Sequence, residues 1–318
     1  MPIFTNQTIL LAKIQTGTTF LAPAPTDWVE ITDASIEPFV AESKELTLIK
    51  ATFGANPQKF YGLKVKLSFS VALAGSGTAG TEPYWGVLER ICGMGKTAIA
   101  AAPTAVPPVE AGVVYKPLNS GYELGSLACY IGPNLHALHS ARGTSSLELS
   151  VGGYWVRKYD ITGVYIDPTA ATIPTVALES RVLPDLLLGA TTTLSLHGMT
   201  NLCLSSLSLD TGNDIKLQEF LNCNAPQASI TDRQCKGSIE FVAESIGTKD
   251  WFAIAKAGAT GALSFKLDGG VGKKLTLAAP KVQLLAPKYG DSDGIRTLQM
   301  DMLLLPSVGG DDYSITCN

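Results

Sequence analysis

Residues 233–270, RQCKGSIEFVAESIGTKDWFAIAKAGATGALSFKLDGG, and residues 273–306, KKLTLAAPKVQLLAPKYGDSDGIRTLQMDMLLLP, carry the pattern on which the fold class rests. They give, in order, a strand, one short helix, a glycine, a hairpin, a proline-marked strand, an acidic turn and a closing strand. A diluted version of the same order lies in the first half of the chain. The fold expected is mainly β: two tandem β-barrel or β-sandwich domains, each with one short α-helix. The boundary is placed in the Pro168-Thr-Ala-Ala-Thr-Ile-Pro174 segment, giving a first domain over 1–174 and a second over 175–318.

Composition agrees. The 318 residues are 46% hydrophobic, enough for a sizeable core, and only 16% charged, which disfavours long solvated helices. Such sparse charge in a soluble chain suits surfaces covered by other subunits. The net charge is −4 and no basic run stands out, which disfavours stable binding to nucleic acid. The N-terminus lacks a basic leader and no run of 18 apolar residues occurs, so neither a signal peptide nor a membrane span is expected. Six cysteines are scattered without a Cys-x-x-Cys pair and read as small buried hydrophobes.

In the first half the cleanest strand is 63–73. Leu63, Val65, Leu67, Phe69, Val71 and Leu73 alternate with Lys64, Lys66, Ser68, Ser70 and Ala72, so one face packs inward. Earlier strands are expected at 9–12, 28–33 and 45–50. Residues 81–93 predict a short helix, with Thr81 as cap, Pro83 in the first turn and Gly93 at the left-handed end. Trp85, Leu88 and Cys92 fall on one stripe of it, suited to plugging one end of a barrel or sandwich. Residues 94–112 contain Pro103, Pro107 and Pro108 and predict a loop without ladder structure, an arm that reaches a neighbouring subunit. Strands are then expected at 113–115, 127–131, 147–151 and 159–166, with a Gly152-Gly153 turn, and in the second half at 193–196 and 202–209. Residues 210–214 predict a turn, and 215–223 a connection.

The two halves align at a constant offset of 118: Gly143 meets Gly261, Leu147 meets Phe265, Leu149 meets Leu267, Gly152 meets Gly270, Val164 meets Val282 and Ile166 meets Leu284. Leu67-Ser-Phe69 answers Ile239-Glu-Phe241, Trp85…Gly93 answers Trp251…Gly258, and Asn56-Pro-Gln58 is echoed by Ala225-Pro-Gln227. A shared order of elements marks a structural repeat. On this alignment the first copy carries an inserted arm or hairpin over 94–142.

No motif argues for chemistry. Gly93-Met-Gly-Lys-Thr97 resembles the end of a phosphate loop, but Arg90 stands where the motif needs glycine and no helix follows. His136-Ala-Leu-His139 has metal-binding spacing on a helix, but lies in what reads as a turn region without a nearby carboxylate or cysteine. Asp291-Ser-Asp-Gly294 opens like a calcium loop, but Met302 stands where the bidentate glutamate belongs, and a β-turn is expected. No catalytic, cofactor-binding or metal-ligating residue is expected, no cofactor, and no enzymatic activity.

Asp210…Gly212-Asn213, Arg233 with Gly237, the Asp250-Trp251 helix, the 280–287 strand, the Asp291–Gly294 turn and Asp311-Asp312 resemble the major tail tube proteins of long-tailed bacteriophages. In the first half Pro83-Tyr-Trp, Cys92-Gly93, Tyr115-Lys-Pro117, Ala141-Arg-Gly-Thr144 and Gly163…Pro168 are similar to the same family. The resemblance covers most of 50–318. It implies a non-enzymatic virion protein, assembled in the host cytoplasm into rings that stack as a hollow tube for DNA ejection. Strands from every domain line such a ring, and long loops bind adjacent rings. Single-domain members form hexamers; a tandem chain implies a homotrimer with pseudo-sixfold symmetry. The partners implied are further copies of the chain, a tape measure protein, a tail terminator and baseplate proteins; DNA passes the lumen without specific binding. The alternatives are another tail ring or hub protein, or a carbohydrate-binding β-sandwich of an adhesin.

Overall fold

A computed structural model describes residues 7–105, 109–177, 181–200, 202–222 and 226–318. The alternation at 63–73 becomes the inner part of a long strand, β4 (Gln58–Ala72), with Val65, Leu67, Phe69 and Val71 buried and the lysines between them outside the core. Burying each such side chain contributes about 1.5–3 kcal/mol, which fixes the register of the strand. Upstream lie β1 (Thr8–Gln15), β2 (Trp28–Val29) and β3 (Thr32–Glu45). The strand expected at 45–50 is not there. Instead β3 ends at Glu45, and 46–57 form the tip of the β3–β4 hairpin, where Leu46, Leu48, Ile49 and Phe53 are exposed.

The first helix, α1 (Gly86–Ile91), is shorter than expected: its N-cap is Trp85, not Thr81, and no side chain caps it. The expected stripe holds, since Trp85, Leu88 and Cys92 are all buried, and Gly93 takes φ +83°. The loop expected from Met94 onward is corrected. Residues 94–99 form β5 (Met94–Ile99), paired with β6 (Gly112–Pro117), so the arm is a hairpin, with Pro103 beyond the end of β5. Pro107 and Pro108 lie outside the described residues. β7 (Leu124–Ile131), β8 (Asn134–Ser150), β9 (Val156–Tyr165) and β10 (Thr169–Ala170) complete this half, with the Gly152-Gly153 turn joining β8 to β9.

The second half holds β11 (Thr192–Leu196), β12 (Leu204–Asp210), β13 (Asn213–Gln218), β14 (Gln227–Arg233), β15 (Lys236–Val242), α2 (Trp251–Ala257), β16 (Thr260–Leu267), β17 (Leu275–Ser292), β18 (Ile295–Leu305) and β19 (Ser314–Cys317). Helix α2 has both caps in place: the Asp250 carboxylate accepts from Ala253 N, and Gly258 closes it at φ +62°. Asp293 (φ +51°) and Gly294 (φ +85°) make the two-residue turn expected between β17 and β18. The connection expected at 215–223 instead begins as strand: β13 runs to Gln218 and pairs with β14 as a separate hairpin.

The order of pairing occurs twice. β1-β7-β8-β9-β4-β3 in the first half matches β11-β16-β17-β18-β15-β12 in the second, with α1 following β4 and α2 following β15. The matches Leu67–Ile239, Phe69–Phe241 and α1–α2 fit this order. The offset of 118 does not: it lays β8 on β16 and β9 on β17, one strand out of step. By pairing, β8 corresponds to β17 and β9 to β18. The insertion in the first half is therefore the β5–β6 hairpin and its exit, not all of 94–142, because β7 has its counterpart in β16. Gln227 likewise opens β14, so it does not correspond to Gln58 at the start of β4.

Each long strand serves two layers. β8 pairs with β7 along 134–141 and then, past a bulge at Ser140 (φ +48°), with β12 along 146–150. β17 pairs with β16 up to Gln283 and is kinked by the same kind of bulge at Ala286 (φ +48°). A bulge bends and twists a strand, here out of one layer and into the next. Most of the strands join one sheet, and one buried core cluster draws on both halves. Among the described residues no pairing closes either set into a barrel.

Candidate functional site

The feature with no counterpart in an ordinary sandwich is a continuous antiparallel run of eight strands, β3-β4-β9-β8-β12-β15-β18-β17. It crosses from one half to the other at β8–β12, where Leu207 stands opposite Leu149 and Leu209 opposite Leu147. Directly paired residues share a face, so the two faces can be followed from strand to strand. Val71, Arg157, Leu147, Leu209, Gly237, Met302 and Leu284 form one row of the inner face. Thr32, Ser70, Lys158, Ser146, Asp210, Lys236, Leu303 and Gln283 form a row of the opposite face.

That opposite face is mostly polar, with Leu285 and Leu303 as apolar exceptions on β17 and β18. Serines 68, 70, 146, 206, 208 and 238 recur on it, and Glu37, Glu148, Asp160, Asp210, Glu240 and Asp301 share it with Lys64, Lys66, Lys158, Lys236, Lys281, Lys288 and Arg142. A shallow cleft of about 480 Å³ opens at its centre, where Leu285 and Leu303 line it beside Ser146, Glu148, Ser208 and Asp301. The alternation that produces this face is legible strand by strand, but its continuity across the halves is a property of the pairing.

The crossing is pinned by a buried polar cluster. Glu89 on α1 and Arg157 on β9 are both fully buried, with Arg157 Nε 2.6 Å from Glu89 Oε1, although the Nε–H is not aimed at that oxygen, and Nη2 donating to Glu89 Oε2 at 3.0 Å. The same Nη2 lies 2.8 Å from Ser145 Oγ and 2.9 Å from the Tyr313 hydroxyl, while Tyr159 donates to Glu89 Oε1 at 2.6 Å. Thr211 and Tyr313 bring the second half into the cluster, their hydroxyls 2.9 Å apart. Burial by itself disfavours the Arg157 charge; Glu89, with Tyr313 and Tyr159, outweighs it and holds the guanidinium pKa above its ordinary value. Burial pushes the Tyr313 hydroxyl up to about 12, and raises Tyr159 well above its ordinary range with help from Glu89.

A second crossing lies at the arm. β19 pairs on one side with β17 and on the other with β6, so the C-terminal strand sits between the second half and the inserted hairpin. Arg233 ties the same region: it donates to Leu118 O at 2.7 Å and to Asn119 Oδ1 at 3.1 Å, and pairs with Asp312 at 3.0 Å. Asn213 donates to Cys92 O at 2.7 Å and Gly143 O at 3.0 Å. Several of the residues quoted for the family resemblance thus meet at the two crossings: Cys92, Gly143, Thr144, Gly212, Asn213, Arg233, Gly237 and Asp312.

The weaker motifs are placed elsewhere. Lys96 of the phosphate-loop-like stretch lies on β5, its ammonium bonded to Glu82. His136 and His139 lie on strand β8 rather than in a turn, and burial lowers both pKa values. Among the described residues no group of three or more His, Cys, Asp or Glu is placed to hold a metal ion, and no helix is long and apolar enough to cross a membrane. Trp28, Trp85, Trp155 and Trp251 are all buried. The clearest signal missed in the sequence was the pair β8 and β17: both are long strands with a bulge, and each was read only in part.

No protein-family model and no curated protein matches the chain.

Proposed function

We propose that the chain is a structural building block of a phage tail tube, built from two β-modules in tandem, and that copies of it close into rings which stack around a channel. The observation that carries this reading is the eight-stranded sheet spanning both repeats, mostly polar on one face and packed on the other. In a ring the polar face lines the lumen. Its serines are small and neutral, and its carboxylates balance its lysines, so a polyanion meets no strongly basic surface that holds it. Three chains supply six modules to one ring, a heterologous arrangement that closes. The β3–β4 tip, with Leu48, Ile49 and Phe53 exposed, and the β5–β6 tip are the projections suited to contacts between rings. The tape measure, terminator and baseplate proteins of a tail are the further partners of this reading, and the virion its location.

None of the four tryptophans is exposed to stack on a sugar ring, which favours the tube over the adhesin. Negative-stain micrographs of the purified protein test the reading. Annular particles and tubes with a central channel are expected. A monomer at every concentration, stabilised by a sugar, overturns it.

A further inference from the structure

We propose which strands join one copy to the next: the open edge of β3 pairs antiparallel with the outer part of β17, residues 284–292, of a neighbouring copy. This rests on the ring reading above and adds the contact that closes it.

The junction already exists once inside the chain. β8 gives its first stretch to β7 and its last stretch, 146–150, to β12. β17, the counterpart of β8, gives its first stretch to β16 in the same way, up to Gln283. Beyond Gln283, on the side away from β18, no strand pairs with it among the described residues. β3 is the counterpart of β12, since each flanks the strand that leads into a helix. β12 has β15 on one side and β8 on the other; β3 has β4 on one side and no strand on the other among the described residues. The two open edges are therefore the same two edges that meet at the internal crossing.

Direction agrees. Eight antiparallel strands are an even number, so the β3 of a next copy runs antiparallel to β17, as β12 runs to β8. Exposure agrees as well: β3 is exposed over most of its length, and long bare edges invite pairing unless something covers them. The register follows from the correspondence. Ile36 beside Leu67 matches Leu207 beside Ile239, and Ser292 beside Ile295 matches Glu148 beside Val156. Ser208 faces Glu148, so Glu37 faces Ser292. β17 turns at Asp293, so that pair stands at the end of the junction, which runs back from it along 284–292 with Pro38 offering no donor beside it.

The test uses Glu37→Cys and Ser292→Cys, two exposed positions, in a full-length background with Cys203→Ser and Cys223→Ser. The double variant, mildly oxidised after assembly, is expected to give covalently linked multimers on a denaturing gel. Mixing the two single variants is expected to give only a mixed dimer, and neither alone a crosslink. Dimers linked 37–37 or 292–292 overturn the proposal in favour of a two-fold contact. Rings in micrographs without a 37–292 crosslink overturn the edge assignment and leave the ring standing; the absence of rings for the unmodified chain overturns both.

Discussion

Removing the Arg157 guanidinium is expected to be among the most damaging single changes in the protein. In Arg157→Met the Glu89 carboxylate keeps its burial and the Tyr159 hydroxyl, but loses its ion-pair partner, and Ser145 and Tyr313 lose the donor that faces them. Breaking a buried pair from one side costs about 3–5 kcal/mol, because the remaining charge is neither solvated nor compensated. At an m-value of about 3 kcal/mol/M this lowers the urea midpoint by roughly 1–1.7 M. The assay is urea unfolding followed by tryptophan fluorescence, since all four tryptophans are buried. The double variant Glu89→Leu/Arg157→Met removes both charges and is expected to recover most of the loss. A loss below about 1 kcal/mol in the single variant, or a double variant no better than the single, would refute the view that this pair pins the crossing.

Gly237→Ala places a Cβ about 2.2 Å from Ser208 O, on the strand pair that continues the crossing, and is expected to cost about 1–3 kcal/mol by the same unfolding assay. Asp250→Ala removes the carboxylate that accepts from Ala253 N and is expected to cost about 1 kcal/mol, with assembly unchanged. Burial raises the Cys129 and Cys235 thiols and the Tyr313 hydroxyl to about 12, so the folded chain keeps protons that the unfolded chain sheds; stability is full below about pH 8.5 and falls as pH rises toward 12, and a urea midpoint unchanged between pH 8 and 11 contradicts this. Deleting residues 100–108, or replacing Leu48, Ile49 and Phe53 with serine, is expected to leave folded rings and prevent stacking; long tubes from either variant remove that tip from the contact between rings.

The fold class was legible wherever one residue type alternated cleanly or punctuation was strong. β4 followed from its run of Leu, Val and Phe, α2 from Trp251 through Gly258, and the β17–β18 turn from Asp291–Gly294. Three things were not legible, each for a physical reason. β5 is a short outer strand of the large sheet and β13–β14 a two-stranded ribbon, each with little buried area, so their sequences lack a strong apolar period. The β3 strand is interrupted by Pro38 and mostly exposed, which hides it from a burial pattern. The repeat slipped by one strand because β8, β9, β16, β17 and β18 all alternate with period two, so any even shift lays apolar on apolar. Only the pairing partners, which sequence does not display, break that degeneracy. The polar face escaped for the same cause: its residues are ordinary serines and acids until β8 and β12 are seen to join.

The central claim is that this sheet continues from copy to copy, and backbone hydrogen exchange reads it most directly. Amides of β3 and of residues 284–292 that find no acceptor within the chain are expected to exchange freely in dilute protein and to gain protection together as assembly proceeds. If both segments exchange as fast in assembled rings as in the isolated chain, the rings are held by other surfaces and the account fails.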